Sequence, residues 1–361
     1  MSLLKLPIVE CVGDARTLGE QQGEALRERI NAFIEQRLTA FAQYSSERGG
    51  PSVERFLAVG AECLRAFERW DPEGAAEHAG VAAAAGVGAE TLYGATNMTD
   101  VRDVLLLPSR KSDEGCTSLL VPSALSRSGD VIVGQTWDLN PTDLDFVVAV
   151  HRRPSTGPET WSVTVAGALS LTGMSAAGVA VGTTNIKTRR SRVGVGYLSL
   201  LHRAIRAGSA AEAEALVRGA PRAAAHTYWL ADAGGAVELE CDPDTVIERR
   251  AQTRPVVRTN HCLSDTMREA EGEPATVSSQ KRFQRAERQL GSGTQDVASL
   301  QALMRDRSDG VDSINRYTED EQGTTTNACL IAVPARRELW ACRGPADRGE
   351  WVNLKFAAAR S

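Results

Sequence analysis

Histidine is scarce in this chain. There are five in 361 residues, at positions 78, 151, 202, 226 and 261, and none belongs to a His-x-x-x-His pair or a Cys/His cluster. A metal centre is therefore not expected. The seven cysteines contain no Cys-x-x-Cys and are odd in number, which argues against a disulfide framework and for a reducing compartment, with most thiols acting as small core residues. No apolar run approaches the roughly 18 residues that span a bilayer. The opening stretch from Met1 to Pro7 lacks the basic and apolar regions of a signal peptide, so a cytoplasmic location is expected. Excess positive charge is also missing. The net charge of −5 leaves neither nucleic acid nor an anionic membrane as an expected partner. Gly86-Val-Gly88 and Gly194-Val-Gly196 lack the third glycine of a dinucleotide fingerprint, and no cofactor is expected.

What is present has two textures. Residues 14–107 read as helix, with Asp14 as an N-cap. Leu26, Ile30, Phe33, Ile34, Leu38 and Phe41 recur on one face, and Phe56, Leu57, Cys63, Leu64 and Phe67 repeat the pattern after a break at Gly49-Gly50-Pro51. Residues 111–115 read as a polar loop. Beyond them the period shortens. Strands are predicted at 117–121, 131–137, 146–151, 160–165, 179–184, 227–232, 236–241, 245–249, 328–333 and 338–341. Helical pairs interrupt them at about 195–219 and 279–307. Strand runs interleaved with helical pairs suggest two sheets covered by helices.

Cys116 opens the first of these strands. A cysteine there is ordinarily a buried thiol. Its neighbours suggest more. Gly115 before it permits strained backbone and close attack on its carbonyl. The strands at 117–121 and 131–137 fold back on each other, which returns Asp138 to the neighbourhood of Cys116. A thiol needs a base before it can act as a nucleophile. Cleavage between Gly115 and Cys116 would supply one, because an α-amino group has a reference pKa of about 7.7–8.0, near working pH. An oxyanion would also need donors. Asn185 and Asn260 each end a strand-like run, although either also reads as an ordinary strand-end asparagine. Trp137, beside Asp138, is a candidate pocket wall. The basic run Arg189-Arg190-x-Arg192 reads as a solvated loop or as an anion site.

Five segments occur in one order: Gly115-Cys116-Thr117, Gly134-Gln-Thr-Trp-Asp138, Gly173-Met-Ser-Ala-Ala-Gly-Val-Ala-Val-Gly-Thr-Thr-Asn185, Thr259-Asn-His261 and Ser278-Ser-Gln-Lys-Arg282. Together they resemble the acyl-coenzyme A:6-aminopenicillanic acid acyltransferase family, the C45 peptidase-type branch of the N-terminal-nucleophile hydrolases. The chain is also similar, more distantly, to choloylglycine and penicillin V acylases. The resemblance runs from about residue 14 to 345 and is weakest before residue 70. It implies an α+β fold, a four-layer αββα sandwich of two antiparallel sheets covered by helices. It implies an inactive precursor that cleaves itself into a mainly helical segment, 1–115, which is retained, and a catalytic segment, 116–361. Cys116 matches the nucleophile and Asp138 the acid that orients its new α-amine. Asn260 matches the side-chain oxyanion donor, and Asn185 the segment whose backbone N–H completes the hole. Arg282 matches an arginine that supports the nucleophile region in the choloylglycine branch. That branch carries an arginine where this chain has Gln135, which favours the acyltransferase-like branch.

The resulting expectation is an amide hydrolase or N-acyltransferase acting through a Cys116 thioester. Its substrate would be a small N-acyl amide, with an acceptor amine or acyl-CoA as a further partner. Two rivals stay open: a non-cleaving enzyme that pairs Cys116 with His261 or His226, and a catalytically inactive binding protein on the same fold.

Overall fold

The computed structural model describes residues 2–105, 115–272, 274–321 and 323–357. Most of the polar loop expected at 111–115, and the last residues of the helical stretch, lie outside the described residues.

The chain opens with a strand that its composition does not announce, β1 (Ile8–Gly13). Six helices follow: α1 (Ala15–Ala25), α2 (Arg27–Ser46), α3 (Val53–Trp70), α4 (Pro72–Ala85), α5 (Ala89–Thr96) and α6 (Met98–Val104). Their ends have local causes. The Asp14 side chain accepts the Thr17 N–H at 2.8 Å and caps α1. Asp71 accepts the Gly74 N–H ahead of α4, whose first residue is Pro72. Gly86 closes α4 in the left-handed conformation, at φ 76°.

Seven strands and two helices come next: β2 (Thr117–Val121), β3 (Ile132–Leu139), β4 (Val147–Pro154), β5 (Thr160–Val165), β6 (Thr172–Ser175), β7 (Ala180–Asn185), α7 (Tyr197–Ala204), α8 (Ala210–Gly219) and β8 (His226–Asp232). The chain continues through β9 (Gly235–Cys241), β10 (Val246–Ala251), β11 (Val256–Arg258), α9 (Asp265–Ala270), α10 (Val277–Gly291), α11 (Val297–Met304), β12 (Thr325–Val333), β13 (Glu338–Arg343) and β14 (Val352–Asn353).

Two sheets result. One runs β1-β4-β5-β6-β7-β8-β9-β10 and the other β11-β2-β3-β12-β13-β14. Strands β2 and β3 of the second sheet face β7 of the first. Helices α1, α7 and α8 lie on the outer side of the eight-stranded sheet, and α10 and α11 on that of the six-stranded sheet. The outer layer under α10 and α11 has its own core, which includes Leu119, Ile132, Leu290, Leu303 and Ile331. The architecture is thus the expected four-layer αββα sandwich, with one correction. The eight-stranded sheet is not wholly antiparallel, because β1 runs parallel to β4, with Ile8 opposite Ala149 and Gly13 opposite Pro154. A parallel neighbour needs a long crossover, and here the six helices between β1 and β2 belong to it.

Candidate active site

The β2–β3 hairpin sets the site. Thr117 pairs with Thr136 and Val121 with Ile132. Carried back beyond Thr117, that register sets Gly115 against Asp138. The approach is close enough to require glycine. A Cβ at Gly115 would lie 2.8 Å from Asp138 Cβ, 2.9 Å from Asp138 Oδ2 and 3.0 Å from Arg316 Nε. Cys116 is buried, and its Sγ lies 3.8 Å from the Asp138 carbonyl oxygen as a weak donor. All seven cysteines are buried thiols without disulfides.

Asp138 is fully buried, and neither carboxylate oxygen has a hydrogen-bond partner among the described residues. Burial raises its pKa to about 6. The guanidiniums of Arg316 and Arg282, then the hydroxyls of Thr326 and Thr136, pull the other way and are outweighed. None of these groups meets good hydrogen-bond geometry to it, although the two hydroxyls stand near enough to favour the charged form. The nearest charge, Arg316 Nε, is 3.9 Å from Oδ2 and itself lacks a hydrogen-bond partner among the described residues.

Arg282, on α10, gathers the other candidates. Its Nη1 donates to the Cys116 carbonyl at 2.5 Å and to Thr117 Oγ1 at 3.0 Å, while its Nη2 donates to Asn260 Oδ1 at 3.0 Å. Asn260 in turn donates from Nδ2 to the Asn185 carbonyl at 3.0 Å. Burial, followed by the like charge of Arg316, lowers the Arg282 pKa to about 9, which still leaves it a cation at neutral pH. Asn185 closes β7, and Asn260 follows β11 by two residues, so strand ends from both sheets meet at Arg282.

A cleft of about 390 Å³, including its open mouth, adjoins the thiol. It is lined by Thr99, Cys116, Trp137, Asp138, Leu139, Leu171, Thr183, Asn185, Tyr197 and His226. Of the six residues singled out from the sequence, Cys116, Asp138, Asn185 and Trp137 share this cleft. Asn260 and Arg282 reach it through the hydrogen bonds above.

Arg316 escaped sequence reasoning. It precedes β12 without any periodic neighbour that would mark an arginine as buried, yet it stands beside Asp138. It also donates to Ser278 Oγ, as does Arg282 Nε at 3.3 Å. Asp100 and Thr99, from α6, were likewise not foreseen.

Of the two histidines that could serve as an alternative base, His261 is held away from the cleft, whereas His226 lines it and, among the described residues, only its Nε2 is engaged. His261 Nδ1 lies 2.8 Å from Ser279 Oγ and 3.2 Å from Thr259 Oγ1, and burial with neighbouring arginines pushes its pKa down to about 4. His226 Nε2 lies 2.6 Å from Asp100 Oδ1. Cys116 also stands immediately before a strand, β2, rather than at a helix N-terminus, where the nucleophiles of Cys–His enzymes gain from the helix dipole. Gln135 turns away from Asp138. Its Oε1 accepts Thr183 N at 3.0 Å and Trp229 Nε1 at 2.7 Å, a structural role between β7 and β8. In the basic run, Arg190 pairs with Asp242 and Arg192 with Asp244. Among the described residues no cluster of three or more His, Cys, Asp or Glu could hold a metal ion, and no helix is long and apolar enough to cross a membrane.

The family described as acyl-coenzyme A:6-aminopenicillanic acid acyl-transferase matches residues 125–347. That span contains Asp138, Asn185, Asn260, Arg282 and Arg316, and begins after Cys116 and β2. Among solved structures, the chain is similar to penicillin V acylase from Agrobacterium tumefaciens at 14% identity, with 66% of this chain and 86% of that chain covered and a TM-score of 0.46. It is also similar to a variant of conjugated bile acid hydrolase from Clostridium perfringens at 10% identity, with 67% and 97% covered and a TM-score of 0.46. No curated protein matches the chain in sequence.

Proposed function

This chain belongs to the acyl-coenzyme A:6-aminopenicillanic acid acyl-transferase family, and from that premise we propose that it is a self-cleaving amide hydrolase or acyltransferase with Cys116 as its nucleophile. The observation that carries the reading is Asp138. A fully buried carboxylate with no well-placed hydrogen-bond donor on either oxygen among the described residues is costly. This one faces the Gly115–Cys116 peptide, where cleavage would create an α-amine able to supply the missing N–H groups.

In the first stage the Cys116 thiol attacks the Gly115 carbonyl carbon. The bond to the Cys116 nitrogen breaks as that nitrogen takes up a proton, leaving the Gly115 acyl group on sulfur. Water then hydrolyses this thioester, which releases a Gly115 carboxylate, the Cys116 thiol and a free α-amine. In the mature enzyme that amine accepts the thiol proton as the thiolate attacks a substrate amide, and passes it to the departing amine. The nearby guanidiniums of Arg282 and Arg316 lower the amine's pKa, and Asp138 raises it, opposing effects on a group that begins at about 7.7–8.0.

Asn260 spends one Nδ2 hydrogen on the Asn185 carbonyl, and the amide has a second to offer. That hydrogen and the Asn185 backbone N–H are the proposed oxyanion donors. Arg282 fixes the orientation of the Asn260 amide by holding its Oδ1. The acyl-thioester then passes to water or to an acceptor amine, and membership of this family favours a small N-acyl amide as substrate.

Intact mass under denaturing conditions tests the proposal. We expect the native protein to appear as two fragments split between Gly115 and Cys116, and Cys116→Ala as one chain. A native chain that stays whole after long incubation removes the α-amine base and returns the reading to its rivals.

A further inference from the structure

We infer that the cleft beside Cys116 is built for an acyl group that carries a hydroxyl, received by His226 and Tyr197. The inference rests on the reading of Cys116 as nucleophile, since that is what makes this cleft the acyl site.

Both oxygens of Asp100 are in use. Oδ2 accepts the Tyr197 backbone N–H at 2.8 Å, and Oδ1 lies 2.6 Å from His226 Nε2. Asp100 thus sits at the N-terminus of α7, where negative charge is favoured. As a carboxylate it is an acceptor only, so the proton on the facing edge of His226 belongs to Nε2. The other nitrogen, Nδ1, has no partner among the described residues, although His226 is only 1% exposed and lines the cleft. A buried polar atom left in this state is destabilising, so a ligand that pairs with it gains an advantage over one that does not.

The Tyr197 ring stacks on the imidazole at 4.5 Å between centroids and 21° between planes, and it lines the same cleft. Burial, then the Asp100 charge, pushes its phenol pKa far up, so the hydroxyl stays protonated. The rest of this wall is apolar, from Trp137, Leu139 and Leu171. An entirely hydrocarbon acyl chain would match the apolar part and leave Nδ1 unpaired. A carboxylate would be repelled by Asp100 and Asp138. An ether or ketone oxygen has no hydrogen to give a neutral imidazole. A hydroxyl can donate to Nδ1 when the ring is neutral and accept from it when the ring is charged, and it can pair with the phenol as well.

Product acids isolate the acyl half of the substrate from the unidentified amine. The mature native protein is titrated calorimetrically with the straight-chain acids from butanoic to octanoic, each plain and with one hydroxyl at successive carbons. We expect at least one hydroxy acid to bind about fivefold or more tightly than its plain parent, the factor that roughly 1 kcal/mol represents. His226→Phe and, separately, Tyr197→Phe should erase or strongly reduce that preference, and the tyrosine variant serves if the histidine variant does not fold. Plain acids binding as well as every hydroxy acid, no acid binding at all, or a preference that survives both substitutions would each overturn the inference. Intact mass on the same samples separates the two layers. An uncleaved native chain marks failure of the nucleophile reading, whereas a cleaved protein without the preference marks failure of this one alone.

Discussion

The ionisation of Asp138 depends on what lies beside it. With the Gly115–Cys116 peptide intact, burial holds its pKa near 6, against about 3.9 for the residue in an unfolded chain. A folded-state value raised above the unfolded one means that the folded precursor binds the proton more tightly. Stability is therefore highest below about pH 4 as far as this group is concerned, and is lost as pH rises through 6. Two pKa units correspond to about 3 kcal/mol. We expect Cys116→Ala, which keeps the precursor whole, to be stabilised by a second change, Asp138→Asn, at pH 7 but not at pH 4. Melting temperatures of the two proteins at both pH values check this, and an equal difference at the two would contradict the unpaired state of Asp138. Most of this site was legible in the sequence because its residues sit at strand ends: the hairpin register returns Asp138 to Gly115, and Asn185 and Asn260 terminate their runs. Arg316 was not legible. Its place is set by the turn before β12 and by long-range burial, neither of which leaves a local pattern.

At the scale of elements, strands with β-branched or aromatic runs were readable, and β2 and β5 fall where their patterns predict them. Three were not read as strands: β1, β6 and β14. Two of these are four residues long or shorter, too brief for an alternation to register, and β1 precedes the helices that its pairing partner lies beyond. A second feature hidden from periodicity is how closely α1 and α4 approach. A Cβ on Gly19 would lie 1.9 Å from the Glu77 carbonyl oxygen, and one on Gly80 would lie 2.4 Å from that of Arg16. Both obstacles are backbone, so a methyl group can be admitted only by moving a helix. Overpacking of this kind costs typically 1–3 kcal/mol. We expect Gly19→Ala and Gly80→Ala each to lower the melting temperature by several degrees. A control at Gly219, where a Cβ meets nothing within 4 Å, should be close to neutral in melting.

For the whole molecule, the proposed cleavage turns one chain into two, and the question is what then holds residues 1–115 in place. Strand β1 hydrogen-bonds within the eight-stranded sheet, and buried ion pairs and carboxylate–histidine contacts cross the same boundary. Arg37 Nη2 meets Asp143 at 2.6 Å, Glu77 meets Arg152 at 2.5 Å and His202 at 3.2 Å, and Asp100 meets His226. These pairs are not equivalent. Burial raises the Asp143 pKa against the pull of Arg37, whereas for Glu77 the burial effect is overcome, chiefly by the Arg152 guanidinium with His202 beside it, and the carboxylate is held below its usual range. Glu77 is thus the stronger tie. Its folded-state pKa is depressed, so its contribution is present above the unfolded value of about 4.3 and is lost as pH falls further through the folded one. Removing one member of a buried pair is worse than never having the pair, since Arg152 would be left with an uncompensated charge, a cost of about 3–5 kcal/mol. If the cleaved segments stay together through these contacts, Glu77→Gln should release residues 1–115 at a lower urea concentration than the native protein does. Size-exclusion chromatography across a urea series at pH 7 reads this directly. At pH 2–3 the gap should narrow, because the released Glu77 takes up a proton there while the folded one still resists it. Equal release points at pH 7 would show that β1 and the apolar core retain the segment without help from Glu77.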